Sequence, residues 1–248
     1  MGFFKKKILC PIDENTRIWI ENSMIWLIHQ FEEKTLINVK TLIPTKEIFP
    51  VNFDGSEHCA LEVLPILCRQ MEITIDVVLI NFYNDKIIEL KNDSGHSLFT
   101  EQTIDENYSV GLYFGKSKDG KFEIERTLLN EPDKLIATIA HELAHIKISG
   151  ENRLEDPDEH LIDLVTVFFG IGIFNANSAA NFYKSYDKWG YSKQGYLTQQ
   201  EWGYSLALYA YIREEKNPGW KNFLTPNVKS DFIKSQQYIN ANAHKVLV

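Results

Sequence analysis

The amino-acid sequence predicts an α+β fold in which a mixed first half precedes a mainly helical second half. Segments rich in β-branched and aromatic residues occur before residue 130, and the clearest is Ile73–Tyr83. From Glu131 onward, apolar residues recur at the three- to four-residue spacing of a helix face. Strands and helices that are segregated along the chain are typical of the α+β class. We therefore expect one domain over residues 1–248, with a sheet in 1–130 and helices in 131–248.

Two helices and one strand are predicted before the sheet. The first helix is expected over Thr16–Lys34, because its apolar residues keep helical spacing. These residues are Ile20, Met24, Leu27, Ile28 and Phe31. Leu36–Ile43 has the pattern of a strand. A second helix is expected over Ser56–Met71, in which Pro65 would form a kink or an early end.

The middle of the chain carries the remaining strand signals. The β-rich segment Ile73–Tyr83 is followed by a short predicted strand at Lys86–Leu90. A hairpin is expected from Ser109–Phe114 and Lys121–Arg126, which alternate in character on either side of the loop Gly115–Gly120. Helices then follow over Glu131–Ile148, Asp158–Phe169, Ser178–Tyr186, Thr198–Glu215 and Val228–Asn242.

Composition and charge disfavour several classes of protein. The net charge of −8 opposes non-specific binding to nucleic acid. No stretch of the sequence approaches the roughly 18 apolar residues that a membrane-spanning helix needs. The three cysteines lack C-x-x-C spacing, which indicates reduced thiols; they are Cys10, Cys59 and Cys68. We therefore expect a cytoplasmic protein that binds neither nucleic acid nor a membrane.

The residues that carry chemistry lie in the helix predicted over Glu131–Ile148. His141, Glu142 and His145 form the pattern H-E-x-x-H. Positions i and i+4 of a helix share one face, so the two imidazoles can bind one Zn²⁺ ion. Glu142 points elsewhere on the helix and can take a proton from a metal-activated water. The pattern predicts a zinc hydrolase site with Glu142 as the general base.

A catalytic zinc site needs a third protein ligand downstream of His145. The metzincin pattern would require glycine at position 148 and histidine at position 151, where this chain has Ile148 and Glu151. If Asp156 caps the helix that follows the H-E-x-x-H helix, Glu159 falls in the first turn of that helix and Asp163 lies one turn later on the same face. The residue types leave Glu159, Asp163 and His160 open as the third ligand.

His141–His145 together with the E-x-x-x-D pattern of Glu159–Asp163 resembles the gluzincins, a branch of the zinc peptidases. The resemblance covers about residues 138–163 and implies a zincin-like fold. It also implies Glu159 as the third zinc ligand and Asp163 as the acceptor that orients His141 or His145. A longer run, through Leu164–Gly170 and Phe174–Ser178, is similar to a family of uncharacterised bacterial proteins.

These patterns predict a zinc-dependent hydrolase, with a peptidase that cleaves a peptide or a single intracellular protein as the leading hypothesis. The alternative is a non-catalytic or regulatory zincin-fold protein that binds a partner. The segment Lys121–Arg126 is a candidate edge strand for substrate. The oxyanion-stabilising residue is left open among the aromatic and histidine side chains of the helical half, which are Tyr191, Tyr196, Tyr204, Tyr211 and His244.

Overall fold

The computed structural model describes residues 8–84, 87–91, 97–101, 120–182 and 197–247. Its helices in these ranges are α1 (Glu14–Phe31), α2 (Glu33–Asn38), α3 (Glu57–Gln70), α4 (Pro132–His145), α5 (Glu159–Phe168), α6 (Gly172–Phe182), α7 (Gln199–Ile212) and α8 (Pro226–Ala241). Its strands there are β1 (Leu79–Tyr83), β2 (Ile87–Lys91), β3 (Ser97–Glu101) and β4 (Lys121–Glu125). This mixed, mainly helical arrangement is consistent with the predicted α+β class. None of the helices in the described ranges has the length and apolar character needed to cross a membrane.

Helix α1 forms close to its predicted bounds. Asp13 caps it, because its carboxylate accepts a hydrogen bond from the Thr16 backbone N–H at 3.0 Å. Ile20, Met24 and Leu27 are fully buried on the face that this spacing produces. The predicted apolar periodicity therefore forms a real core face.

The strand predicted over Leu36–Ile43 is wrong. The backbone of Glu32 takes a positive φ of 68°, which ends α1, and the chain resumes at once as the short helix α2. The backbone N–H of Leu42 then bonds to the carbonyl of Gly170 at 2.8 Å, in the turn between α5 and α6. Leu36 and Leu42 are buried, but they reach the core from a short helix and a loop.

Helix α3 follows its prediction, and Pro65 lies inside it without ending it. The proline has no backbone N–H to donate to the carbonyl of Leu61, and Leu61 is an exposed residue of this helix. The β-rich segment Ile73–Tyr83 is only partly a strand: Ile75–Val77 is a 3₁₀ turn, and β1 begins at Leu79.

Two separate two-stranded sheets form in the described ranges. Strand β1 pairs in parallel with β4, with Leu79 opposite Lys121 and Tyr83 opposite Glu125. Strand β2 pairs in antiparallel fashion with β3. The first arm of the predicted hairpin, at Ser109–Phe114, lies outside the described residues, and β4 has β1 as its described partner. A 3₁₀ turn at Arg126–Asn130 leads from β4 directly to α4.

Helix α4 lies at the centre of the fold. It packs against α3, α5 and α6, and Leu135, Ile139 and Leu143 are fully buried in it. Pro132 occupies its first turn, and Ile146–Gly150 continues the helix as a single π turn. Helix α4 is thus held on several sides by core contacts.

The boundaries of the later helices differ from the sequence pattern at two points. Asp158, not Asp156, caps α5, since its carboxylate accepts the backbone N–H of His160. Helix α6 begins at Gly172, earlier than predicted, because Gly170 takes a positive φ of 73° and turns the chain sharply after α5. The capping box at the start of α7 is present, with Thr198 and Glu201 each accepting the other's backbone N–H.

Candidate metal centre

Two helices supply the side chains of the candidate site. Helix α4 presents His141 and His145 one turn apart, with ring centroids 5.0 Å apart. Helix α5, which packs against α4, presents Glu159 from its first turn. Asp158 fixes the start of α5 by capping it, and this places Glu159 at a defined position on the helix.

The three predicted ligands converge on one point. The Oε2 atom of Glu159 lies 3.1 Å from Nε2 of His141 and 3.2 Å from Nε2 of His145. One potential ligand atom from each residue lies within 4.8 Å of the other two. These residues therefore form a group that can hold a metal ion.

Asp163 contacts the outer side of the first histidine ring. Its Oδ1 lies 3.1 Å from Nδ1 of His141, and its side chain is almost fully buried. Its Oδ2 accepts the backbone N–H of Leu197 at 3.2 Å, just before α7. The sequence left open whether Asp163 orients His141 or His145, and the structure has it in contact with His141. Asp163 lies on the Nδ1 side of this ring and is not one of the three residues that can hold a metal ion.

The hydrogen-bond pattern gives the pocket a preference for positive charge. A carboxylate cannot donate, so the proton on Nδ1 of His141 belongs to the bond with Asp163. A neutral His141 then directs the Nε2 lone pair at a lone pair of the Glu159 carboxylate. Two acceptors this close require a cation between them, which is either a second proton on the ring or a metal ion.

The pKa values agree with this electrostatic argument. Burial alone lowers the pKa of His141, but the hydrogen bonds that its ring donates to Asp163 and Glu159 outweigh burial and raise the pKa to about 10. Burial by itself raises the pKa of Glu159, but the bonds with His141 and His145 hold that pKa at about 2. The carboxylate is therefore ionised, and the pocket favours a bound cation.

Glu142, the predicted general base, lies beside the ligand group on α4 and is partly exposed. Although the residue is partly exposed, partial burial of its carboxyl raises the pKa above the ordinary value, and the neighbouring His141 and His145 partly oppose the rise. A glutamate whose pKa is raised toward neutral pH is better matched to taking and returning a proton.

The other candidate side chains have different surroundings. Nδ1 of His160 lies 2.9 Å from Asp158, and its ring meets Trp19 edge-on, so the structure does not bring it into the ligand group. Tyr204 is fully buried and donates to Oε1 of Glu21 at 2.5 Å, which commits its hydroxyl to a core network. His244 lies in the C-terminal 3₁₀ turn, and Tyr191 and Tyr196 lie outside the described residues.

Two contacts at the site were not predicted from the sequence. One is the Leu197 backbone N–H on Asp163, and the other is the side chain of Asn175, which donates to the backbone of α4. A contact to a backbone N–H cannot be predicted from residue types, because every residue except proline has one. The contact of Asn175 could have been suspected, since Asn175 lies in the run Phe174–Ser178 that the sequence analysis quotes.

Comparison of the chain with protein-family models, with curated proteins and with solved structures finds no match. What can be inferred about the site therefore comes from the chain's own residues and their geometry.

Proposed function

We propose that the protein is a zinc-dependent hydrolase of the gluzincin kind, whose substrate is a peptide or protein amide bond. In this proposal His141, His145 and Glu159 hold the zinc ion, and Glu142 is the general base. The observation that carries the proposal is the convergence of both Nε2 atoms on Oε2 of Glu159. H-E-x-x-H supplies two ligands and the base on one helix, and this site adds the third.

The two separations between histidine nitrogen and glutamate oxygen are close to those of a zinc site. Zinc bonds of about 2.0–2.2 Å in tetrahedral geometry place nitrogen and oxygen ligands about 3.3–3.5 Å apart. The two nitrogen-to-oxygen separations here are 3.1 and 3.2 Å. Two imidazoles and one carboxylate are also a common protein ligand set of catalytic zinc.

The partial exposure of two of the three side chains favours a catalytic zinc centre over a purely structural one. The side chain of His145 is 1% exposed, whereas those of His141 and Glu159 are 18% and 20% exposed. One side of the group can therefore meet a small molecule. Within the described ranges the group contains three protein ligands, and structural zinc sites have four.

Each side chain has a role that follows from its position. When bound, the zinc ion would supply Lewis-acid chemistry that lowers the pKa of water and polarises a carbonyl group. Glu142 would accept the proton from the attacking water and return it to the leaving amine. Asp163 would hold the Nδ1 proton of His141 and so keep the Nε2 lone pair directed into the site.

The experiment that tests this proposal combines metal content with the variant Glu142→Gln. We expect the wild-type protein to bind one zinc ion and to cleave members of a diverse peptide library. Glu142→Gln should bind zinc equally well and lose about 10²–10⁴-fold in hydrolysis, because an amide cannot act as the base. A Glu142→Gln variant with wild-type hydrolysis would refute the mechanism.

A further inference from the structure

A buried asparagine on α6 contacts the backbone of α4 one turn before the first predicted zinc ligand. Nδ2 of Asn175 donates to the carbonyl oxygen of Ala137 at 3.1 Å, and the Asn175 residue is only 8% exposed. Ala137 lies four residues before His141, so in the helical ladder of α4 the same carbonyl accepts the N–H of His141. Asn175 and the His141 backbone therefore share one acceptor.

The amide of Asn175 makes one hydrogen bond in the described part of the chain, through its NH₂ group. Its NH₂ group must face Ala137, because a carbonyl oxygen is an acceptor only. Its Oδ1 atom is buried and has no hydrogen-bond partner in the described part of the chain. An apolar side chain of similar size would fill the same space without this unpaired acceptor. The one bond that the amide makes is thus its distinguishing contribution, and that bond goes to α4.

Asn177 on the same helix gives a direct comparison. It is similarly buried, at 7% exposed, but it points to the opposite side of α6, as residues two positions apart on a helix do. Its Nδ2 donates to the carbonyl of Phe223 and its Oδ1 accepts the N–H of Thr225, both at 2.8 Å. Asn177 therefore fastens α6 to the segment before α8, and both halves of its amide are satisfied.

We propose that Asn175 is a positioning residue of the metal centre. By bonding the carbonyl of Ala137, it fixes the turn of α4 that presents the His141 imidazole to Glu159. His141 is then held from two directions, because α5 orients its ring through Asp163 and α6 fixes its backbone through Asn175. This inference rests on the proposed zinc centre.

The test compares Asn175→Ala with Asn177→Ala in the full chain. Zinc affinity is measured by competition with a chromophoric chelator, and the absorption spectrum of the Co²⁺-loaded protein reports ligand geometry. Urea unfolding of the metal-free proteins measures stability. Both variants lose a buried amide bond and should be less stable than wild type. Asn175→Ala should bind zinc about tenfold more weakly and shift the Co²⁺ spectrum, whereas Asn177→Ala should keep wild-type affinity and spectrum.

Wild-type zinc affinity in Asn175→Ala would overturn the inference, and so would an equal loss of affinity in Asn177→Ala. If Asn175→Ala does not fold, Asn175→Ser replaces it, because its shorter side chain also loses the bond to Ala137. The zinc centre itself is tested by the wild-type titration. Failure of the wild type to bind one zinc ion is therefore distinguishable from a failure confined to Asn175.

Discussion

Replacing Glu159 by glutamine should change both the stability of the metal-free protein and its zinc affinity. The Glu159 pKa falls from 4.5 to about 2 because of His141 and His145. That fall corresponds to at most about 3 kcal/mol of stabilisation at pH 7. A carboxyl group whose pKa is lower in the folded than in the unfolded protein stabilises the fold at pH values above its unfolded-state pKa. This stabilisation is lost as the pH falls, so less than about half should remain at pH 3.

The loss of zinc affinity follows from the number of ligands. Structural zinc sites with four ligands bind with about 10–16 kcal/mol, or about 2.5–4 kcal/mol per ligand. Glutamine has no ionised oxygen to offer, so Glu159→Gln should bind zinc about 10²–10³-fold more weakly. The histidine pair that remains can still hold zinc weakly, and some residual binding is expected.

The assay is urea unfolding of the chelator-treated protein at pH 7 and pH 3, together with zinc titration at pH 7. The matched control is Glu155→Gln, which removes the same charge at an exposed position in the loop before α5. That control should leave both quantities close to wild type. Equal zinc affinity in wild type and Glu159→Gln would refute the assignment of the third ligand.

Two further substitutions test zinc affinity and the stability of the fold independently. Asp163→Ala removes the acceptor for the Nδ1 proton of His141 and should weaken zinc binding about 10–100-fold; unchanged affinity in the zinc titration would show that the ring needs no such support. Thr198→Ala removes one half of the capping box of α7 and should lower the free energy of unfolding by about 1 kcal/mol. Thermal and urea unfolding measure this second loss, and zinc affinity should not change with it.

The sequence located the candidate site well because short-range helical geometry determines most of it. His141 and His145 lie one turn apart on any regular helix, and Glu159 needs only a short loop to return to them. The ring contacted by Asp163 could not be chosen in advance, because that depends on how α5 packs against α4. In the structure Asp163 contacts His141.

Errors in the predicted elements arose where apolar runs have no clear period or where the backbone turns unexpectedly. Leu36 and Leu42 are buried as a strand pattern would suggest, but the positive φ at Glu32 starts a new short helix. The start of α6 was missed because the apolar run continues from α5 across Gly170. A glycine within such a run gives little warning of a turn, since its effect depends on its φ angle.

The most direct test of the account is a crystal structure of the zinc-loaded protein with anomalous scattering measured at the zinc edge. We predict one strong peak about 2.0–2.2 Å from Nε2 of His141, Nε2 of His145 and a carboxylate oxygen of Glu159. A zinc peak bound by other residues, or no peak at these three side chains at saturating zinc, would contradict the account.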